Sequence, residues 1–446
     1  MNSNSQLINT LDNFSQLIDL LNEYIDLKNL WMTRKDLWNG NNHRLLCYLK
    51  LKASKSRDYL ESEVFRTYII SRVSKPSEQL SLNLSGCRIT DMSCLENVHT
   101  LNLSECKGVK DVSNLGNVHT LNLFNCNLLT DVSNLGNVHT LNLAKCYGIT
   151  DVSNLGNVHT LNLSYCEGII DVSCLRNVHD LNISFTNISS VSSLGNTNIL
   201  NLSGCYRVSY VNDLGNVHTL DLSHCDGISD LTSLGNVHTL NLTWCSGITD
   251  VTSLGNVHTL NLSYCHGITD VSSLGSVHTL DLSGCKRIID VSSLGNVHVL
   301  NLSFCEGIKD VSNLGNVHIL NLSGCNRIRD VSCLGNVHTL NLSCCGGIAN
   351  VNSLGNVHTL NLSCCPGVTD VSSLGNVHSL NLSRCNRIVD VNSLGKVHTL
   401  DLSYCHGIID VSNLGNVNEL YVEECKGIRD VGNLRNVIKD WRKHIL

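Results

Sequence analysis

Cysteine is the residue type whose number and spacing in this chain most strongly suggest chemistry. Seventeen of the 23 cysteines recur at almost constant spacing, from Cys87 and Cys106 to Cys425. Cysteines in such numbers form disulfides in secreted proteins, and clustered cysteines bind zinc. Here each cysteine stands at the same place in a repeated segment, which predicts parallel side chains. Because parallel Cβ vectors make poor disulfides and one cysteine per repeat offers no tetrahedral ligand set, we expect buried, reduced thiols.

Histidine and aspartate recur with the same period. Histidine stands in 15 repeats, from His99 to His398, and aspartate in 15 repeats, as at Asp111. Imidazoles about 5 Å apart would suit metal binding or pH sensing, whereas neutral rings would stack and hydrogen-bond along the row. The aspartate would bind calcium or cap a tight turn by accepting backbone N–H groups. We expect stacking and capping, because the glycine-rich calcium-binding nonapeptide is absent.

Adjacent imidazolium charges repel, so the histidine row should titrate low and acid should loosen the fold. We expect no metal site and no cofactor. Two extra cysteines, Cys344 and Cys364, occupy an exposed variable position in consecutive repeats. These are the two thiols for which oxidation or metal binding remains an alternative to a structural role.

The period belongs to a unit of 20 residues with the form LNLSxCxGITDVSxLGNVHT. With the first leucine as position 1, 18 units begin between Leu82 and Leu420, and the units at Leu82 and Leu181 are one residue short. Apolar residues fill positions 1, 3, 6, 9, 12, 15 and 18. The alternation at positions 1 and 3 predicts a short strand, and the later spacing of three predicts tight turns or 3₁₀ geometry. Thr186 replaces the cysteine in the second short unit.

The unit resembles a leucine-rich repeat, because V-x-x-L-x-L-x-x-C-x-x-I matches that pattern. LSxCxGITD is similar to the cysteine-containing type of many F-box proteins, and ITDVSxLGNVHTLNLS to the short internalin-like type. The near-identity of the units also resembles repeat proteins of large DNA viruses that infect amoebae. The resemblance implies an α+β repeat solenoid: an arc of about 18 leucine-rich units over residues 82–437 with a parallel β-sheet on its concave face.

Both ends of such a solenoid need a cap. Helical periodicity in residues 1–76 predicts a small helical domain of three or four helices that packs on the first repeat. After Val437 the pattern dissolves, and residues 438–446, with Trp441, should cover the last repeat.

Within the helical region, Gln16–Trp38 resembles an F-box, although the usual Leu-Pro opening is missing and the terminal tryptophan is displaced by one residue. Asp26-Leu27 fits the turn between its two helices. A capping helix pair without a partner is the alternative. The residues that would contact the F-box-binding adaptor are Leu17, Ile18, Leu21, Leu27, Leu30, Leu37 and Trp38.

Composition and motifs narrow the function. The net charge of −7 is mild and shows no block of like charge, so nothing indicates nucleic acid or an anionic membrane. We expect no leader and no transmembrane segment, and with reduced thiols we expect a cytoplasmic or nuclear protein. No P-loop, GxGxxG or GxSxG constellation is present, so we expect no enzyme.

Recognition should use the positions at which the units differ. Positions 20, 2 and 4 are monotonous Thr, Asn and Ser, whereas positions 5, 7, 8 and 10 vary. Aromatic residues and arginine dominate binding hot spots, and the alternative is that the rings only cover the edge of the solenoid. The residues predicted to contact a partner are Tyr165, Phe185, Trp244, Tyr264, Phe304 and Tyr404 at position 5, and Arg207, Arg287, Arg327 and Arg387 at position 8.

Glycine at position 5 accompanies arginine at position 8 in three units, as in Gly284 and Arg287. We expect these two side chains to compete for one space, although Arg384 with Arg387 runs against this. Taken together, the sequence predicts a non-catalytic protein-interaction scaffold, with the F-box resemblance implying a substrate-recruiting subunit of a cullin-type ubiquitin ligase. The alternative is a stand-alone binding or structural protein without a ubiquitin link.

Overall fold

The computed structural model describes residues 48–73, 75–89, 91–428, 434 and 437–438. The F-box-like segment Gln16–Trp38 and Trp441 lie outside these residues. The F-box and the C-terminal cap therefore remain predictions. The chain divides into two compact units, residues 1–207 and 208–446. No helix among the described residues has the length and hydrophobicity needed to span a bilayer.

Every repeat contributes one short strand, formed by positions 20, 1 and 2. In the first compact unit, residues 1–207, the strands are β1 Leu49–Lys50, β2 Leu80–Asn83, β3 Thr100–Asn102, β4 Thr120–Asn122, β5 Thr140–Asn142, β6 Thr160–Asn162, β7 Asp180–Asn182 and β8 Ile199–Asn201. In the second they are β9 Thr219–Asp221, β10 Thr239–Asn241, β11 Thr259–Asn261, β12 Thr279–Asp281, β13 Val299–Asn301, β14 Ile319–Asn321, β15 Thr339–Asn341, β16 Thr359–Asn361, β17 Ser379–Asn381, β18 Thr399–Asp401, β19 Glu419–Tyr421 and β20 Val437–Ile438.

Within each unit of the chain, consecutive strands pair in parallel with the same repeat positions opposite each other. Leu101 of β3 pairs with Leu121 of β4, and Leu240 of β10 pairs with Leu260 of β11. The leucines at positions 1 and 3 are buried beneath this sheet; Leu123, for example, is 0% exposed. The prediction of a repeat solenoid with a parallel sheet is confirmed.

The chain returns from one strand to the next through tight turns, as the spacing of three predicts. Most repeats contain a 3₁₀ turn at positions 13–15. In the first compact unit these turns are Ser93–Leu95, Ser113–Leu115, Ser133–Leu135, Ser173–Leu175 and Ser192–Leu194. In the second they are Asn212–Leu214, Leu234–Asn236, Thr252–Leu254, Ser272–Ser276, Ser292–Asn296, Leu314–Asn316, Ser332–Asn336, Asn352–Asn356, Ser372–Asn376, Asn392–Lys396 and Ser412–Leu414.

The aspartate at position 11 caps this turn, which confirms the prediction. Oδ1 of Asp111 accepts the backbone N–H of Ser113 at 2.9 Å, and Asp250 accepts that of Thr252 at the same distance. Hydrogen bonds from the backbone and side chain of Ser113 hold the pKa of Asp111 below its usual range. The aspartate column is therefore explained by turn geometry.

The cysteine at position 6 is a buried spacer with a hydrogen bond, as predicted. The thiol of Cys285 is fully buried and donates to the carbonyl oxygen of Leu262 in the preceding repeat at 3.2 Å. Burial raises the pKa of Cys285 to about 12, so the thiol stays protonated. Thr186, which replaces the cysteine in a shortened repeat, donates instead to Ile183 of its own repeat at 2.7 Å.

The segment before the first repeat contains helices α1 Ala53–Glu61, α2 Glu63–Arg72 and α3 Pro76–Gln79. It also contains a strand that the helical periodicity did not predict, because Leu49 of β1 pairs with Leu80 of β2. The hydroxyl of the buried Ser56 accepts the backbone N–H of Asn83 at 2.9 Å. This segment thus supplies hydrogen bonds to the edge of the first repeat strand.

Candidate functional site

The turn that follows each strand fixes the direction of the side chain at position 5. The N–H of Cys265 donates to the carbonyl of Leu262 at 3.1 Å and closes a four-residue turn, in which Tyr264 has a φ of 60°. A positive φ at the third residue is the mark of a type II turn and normally selects glycine or asparagine. The N–H of Tyr264 donates onward to Ser283 of the next repeat at 2.8 Å, so repeat stacking helps to hold this conformation.

Position 5 is left-handed throughout the described repeats. Among the described residues, every non-glycine residue with positive φ stands at this position. They are Glu105, Asn125, Lys145, Tyr165, Phe185, His224, Trp244, Tyr264, Phe304, Cys344, Cys364, Arg384, Tyr404 and Glu424. Such a conformation costs a side-chain-bearing residue about 1–2 kcal/mol. We call this row of side chains at position 5 the rim.

Several aromatic side chains of the rim stack on their neighbours in adjacent repeats. Tyr165 and Phe185 lie parallel with ring centroids 4.6 Å apart, and Trp244 and Tyr264 with centroids 4.5 Å apart. His266 packs edge-on against Trp244 at 5.9 Å. A stacked pair contributes about 0.5–1.5 kcal/mol, which offsets part of the cost of the left-handed backbone.

Cations join the same row. The ammonium of Lys145 lies 5.4 Å from the centroid of Tyr165 and 5.5 Å from that of Phe124. The guanidinium of Arg384 lies 4.6 Å from the centroid of Tyr404. The rim therefore presents aromatic faces and positive charges together, although the net charge of the chain is negative.

The predicted contact residues differ in exposure. Trp244 and Phe304 are 44% and 52% exposed, whereas Phe185, Tyr264 and Tyr404 are half-buried by their neighbours in the row. The predicted arginines at position 8 are exposed, and they are Arg207, Arg287, Arg327 and Arg387. Of the two extra cysteines, Cys344 is exposed and Cys364 is half-buried, and both belong to the rim.

Glycine at position 5 leaves space for the aromatic ring at position 5 of the preceding repeat. A Cβ on Gly284 would lie 2.6 Å from the ring of Tyr264, and one on Gly324 would lie 2.6 Å from the ring of Phe304. A Cβ on Gly204 would likewise meet the ring of Phe185. The glycine thus makes room for the aromatic residue of the preceding repeat, which is a different competitor from the arginine that we predicted.

Histidine forms a ladder before the strands, which confirms the predicted stacking. Consecutive rings in each unit of the chain stack with centroids 4.6–4.8 Å apart, as for His238 and His258 at 4.6 Å. The hydrogen bond, however, does not run along the ladder, because Nδ1 of His238 pairs with the hydroxyl of Thr239 in its own strand at 3.2 Å. Lost hydration and the neighbouring His218 and His258 lower the pKa of His238.

The sheet face between ladder and rim is occupied with its own hydrogen bonds. Oδ1 of Asn102 accepts the N–H of Ser104 at 3.0 Å, while its amide donates to Asn83 of the preceding repeat at 3.1 Å. Asn301 donates in the same way to Asp281 at 2.9 Å. These asparagines serve the scaffold, which explains why position 2 varies so little.

Acid should weaken the fold in the window of histidine titration. The pKa is lowered in the folded state at His119, His238 and His358, so the unfolded chain binds more protons as the pH falls through about 6.5. We predict a lower melting temperature at pH 5.5 than at pH 7.5, and a smaller drop in His238→Asn. His406→Asn, which changes an exposed histidine outside the ladder, is the control. Equal melting temperatures at the two pH values would contradict the prediction.

Substitution of Gly284 tests the packing of the rim. Gly284→Ala adds a Cβ at a φ of +74° against the ring of Tyr264, whereas Gly86→Ala adds one at +69° with nothing within 4 Å. We predict that chemical denaturation shows a loss of about 1–2 kcal/mol for Gly86→Ala and a larger loss for Gly284→Ala. Adding Tyr264→Ala to Gly284→Ala should remove the extra loss. Equal losses in the two single variants would refute the proposed contact.

No protein-family model matches the chain, and no curated protein matches its sequence. Solved structures do resemble it. The structure of a TLR13–ssRNA13 complex aligns with a TM-score of 0.55 at 19% identity, over 81% of this chain and 64% of that chain. At this identity the likeness shows the fold alone.

Two bacterial structures align less closely. An internalin of Listeria monocytogenes is 25% identical over 57% of this chain and 84% of its own, with a TM-score of 0.46. A leucine-rich repeat protein of Leptospira interrogans is 19% identical over 78% of this chain and 91% of its own, with a TM-score of 0.48. The structural neighbours of this chain include leucine-rich repeat proteins.

Proposed function

We propose that the chain is a non-catalytic scaffold that binds a protein partner through the rim. The observation that carries this proposal is the placement of large aromatic side chains where the backbone favours glycine. Trp244 and Phe304 stand at φ 62° and 59°, although Gly204 and Gly324 show that the same turn accepts glycine. Strained, exposed aromatic residues on a rigid framework are typical of binding sites.

A protein fits the rim better than a nucleic acid. The net charge is −7, and the exposed aspartates at position 11 recur along the repeats. A phosphate backbone requires a continuous basic surface, whereas the rim offers isolated cations such as Lys145 and Arg384 beside aromatic rings. The RNA in the TLR13 complex is a ligand of that protein and does not outweigh the charge of this one.

The finer hypothesis is that the chain recruits substrates to a cullin-type ubiquitin ligase. It rests on the F-box resemblance of Gln16–Trp38 and on the arrangement of that segment before cysteine-containing repeats. In this role the rim would hold the substrate, and the N-terminal segment would hold the adaptor. The second candidate is a stand-alone interaction protein, in which the N-terminal segment only caps the solenoid.

A cytoplasmic location accompanies both candidates. Buried thiols such as Cys285 donate to carbonyl groups instead of pairing with each other, which suits a reducing compartment. The resemblance to repeat proteins of large DNA viruses would place the chain in the cytoplasm of an infected host.

Rim glycine variants test the proposed surface. Trp244→Gly with Tyr264→Gly installs the residue that the turn prefers, so we predict an unchanged melting temperature within a few degrees. Affinity capture from a eukaryotic cell lysate, quantified by mass spectrometry, should lose the specific partner of the unmodified chain. Ile319→Ala, which removes an exposed aliphatic side chain at position 20, away from the variable positions, is the control and should retain it. Retention of the same partner by the glycine variant would exclude this part of the rim as its binding site.

Binding to the purified F-box-binding adaptor of a cullin ligase separates the two candidates. The ligase hypothesis predicts that the full chain binds the adaptor in calorimetry and that Leu27→Asp with Leu30→Asp abolishes binding. The rim variant Trp244→Gly should bind the adaptor like the unmodified chain, since the ligase hypothesis assigns adaptor contacts to residues 16–38 alone. Absence of adaptor binding in the unmodified chain would eliminate the ubiquitin link and leave the stand-alone scaffold.

A further inference from the structure

One position of the histidine ladder carries a carboxylate. The residue that follows a ladder histidine is uncharged in every repeat except one, where Asp180 follows His179. Elsewhere this residue is usually threonine, whose hydroxyl lies 3.2 Å from Nδ1 of its histidine, as in His159 and Thr160. Asp180 therefore replaces a neutral hydrogen-bond partner by an anionic oxygen ligand.

The side chains of His159, His179 and Asp180 converge. Oδ1 of Asp180 lies 2.7 Å from Nδ1 of His179, and the rings of His159 and His179 stack with centroids 4.6 Å apart. One potential ligand atom from each of the three residues lies within 4.8 Å of the other two. The side chains of His179 and Asp180 are 49% and 31% exposed, so a hydrated ion can reach them.

The backbone holds these three residues in place. The N–H groups of His179 and Asp180 both donate to the carbonyl of His159 at 3.0 Å. Asp180 and His159 thus belong to the same hydrogen-bonded step between β6 and β7. Binding an ion requires only rotation of side chains, because the backbone that carries them is already ordered.

The ladder ends at this step. The next repeat has Asn198 in place of histidine, so in the described structure the ring of His179 stacks on His159 and on no second ladder ring. His159 in turn stacks on His139 at 4.7 Å. One face of His179 is therefore not covered by another ladder imidazole, which leaves this ring freer to turn than one inside the ladder.

We propose that His159, His179 and Asp180 bind a divalent transition-metal ion, with zinc as the physiological class. Two imidazoles and one carboxylate suit Zn²⁺, which takes three protein ligands and leaves its fourth position to water. Mg²⁺ and Ca²⁺ prefer all-oxygen ligand sets, so they bind here weakly. The metal takes the place of the hydrogen bond between Nδ1 of His179 and Asp180, and the neutral imidazole then carries its proton on Nε2.

We expected no metal site because the histidine row consists of repeated, equivalent residues. Asp180 breaks that equivalence. The proposal is independent of the rim and of the ubiquitin hypothesis, since none of the three residues belongs to either surface.

Calorimetry on the full chain, stripped of metal with a chelator, tests the site. We expect one Zn²⁺ per chain and, with Co²⁺ as a spectroscopic probe, the visible absorption of a low-coordinate N/O site. Asp180→Thr installs the residue of the neighbouring repeats and should weaken binding at least about tenfold, because even outer-shell partners of metal ligands contribute that much. Glu419→Thr is the matched control, since this acidic residue at the same repeat position follows Asn418 and should be silent.

A gain-of-site variant separates the proposed site from general binding by the ladder. Thr399→Asp places a carboxylate beside His378 and His398, whose rings stack at 4.6 Å and after which Asn418 interrupts the ladder, as Asn198 does at the natural site. We expect the stoichiometry to rise from one ion to two. Equal affinity in the unmodified chain and Asp180→Thr would assign binding to the bare ladder and overturn the proposal. Absence of Zn²⁺ binding, or no second ion in Thr399→Asp, would overturn it as well.

Discussion

The structure depends on the in-register parallel pairing of neighbouring repeats. Because the same positions lie opposite each other, most side chains have a copy of themselves about 4.8 Å away on either side. Each position must therefore hold a residue type that can pack against a copy of itself in the adjacent repeat. Leucine does so by packing, asparagine by donating to the asparagine of the preceding repeat, and histidine by stacking its ring.

The same constraint decides which chemistry the columns can perform. A column thiol such as Cys285 donates to a carbonyl and is buried with a raised pKa, so it is neither a nucleophile nor a metal ligand. At His119, His238 and His358, lost hydration and the neighbouring imidazoles lower the pKa. We propose chemistry where a column is broken, as at Asp180, and recognition where a column varies, as along the rim.

Much of the repeat fold could be predicted from the sequence. The alternation of leucines gives the strand, the spacing of three gives the tight turns, and the recurrence of Asp111 and its equivalents gives the turn cap. The strand Leu49–Lys50 could not be predicted, because two residues carry no periodicity and its pairing with β2 is set by tertiary structure. The left-handed turn at position 5 left a signal that was available: glycine stands there at Gly86, Gly204, Gly284 and Gly324.

The contact between Tyr264 and Gly284 could not be found within one unit, because it joins two consecutive repeats and depends on which way the ring leans. The rim thus follows from stacking as well as from composition. Its large side chains are displayed because pairing between repeats holds an otherwise unfavourable backbone.

A crystal structure at a resolution that defines side chains tests this most directly, through the backbone angle and ring geometry at Trp244 and Tyr264. The account predicts φ near +60° at both residues and parallel rings about 4.5 Å apart on the surface. Negative φ at these residues, with the rings turned away from each other, would contradict it.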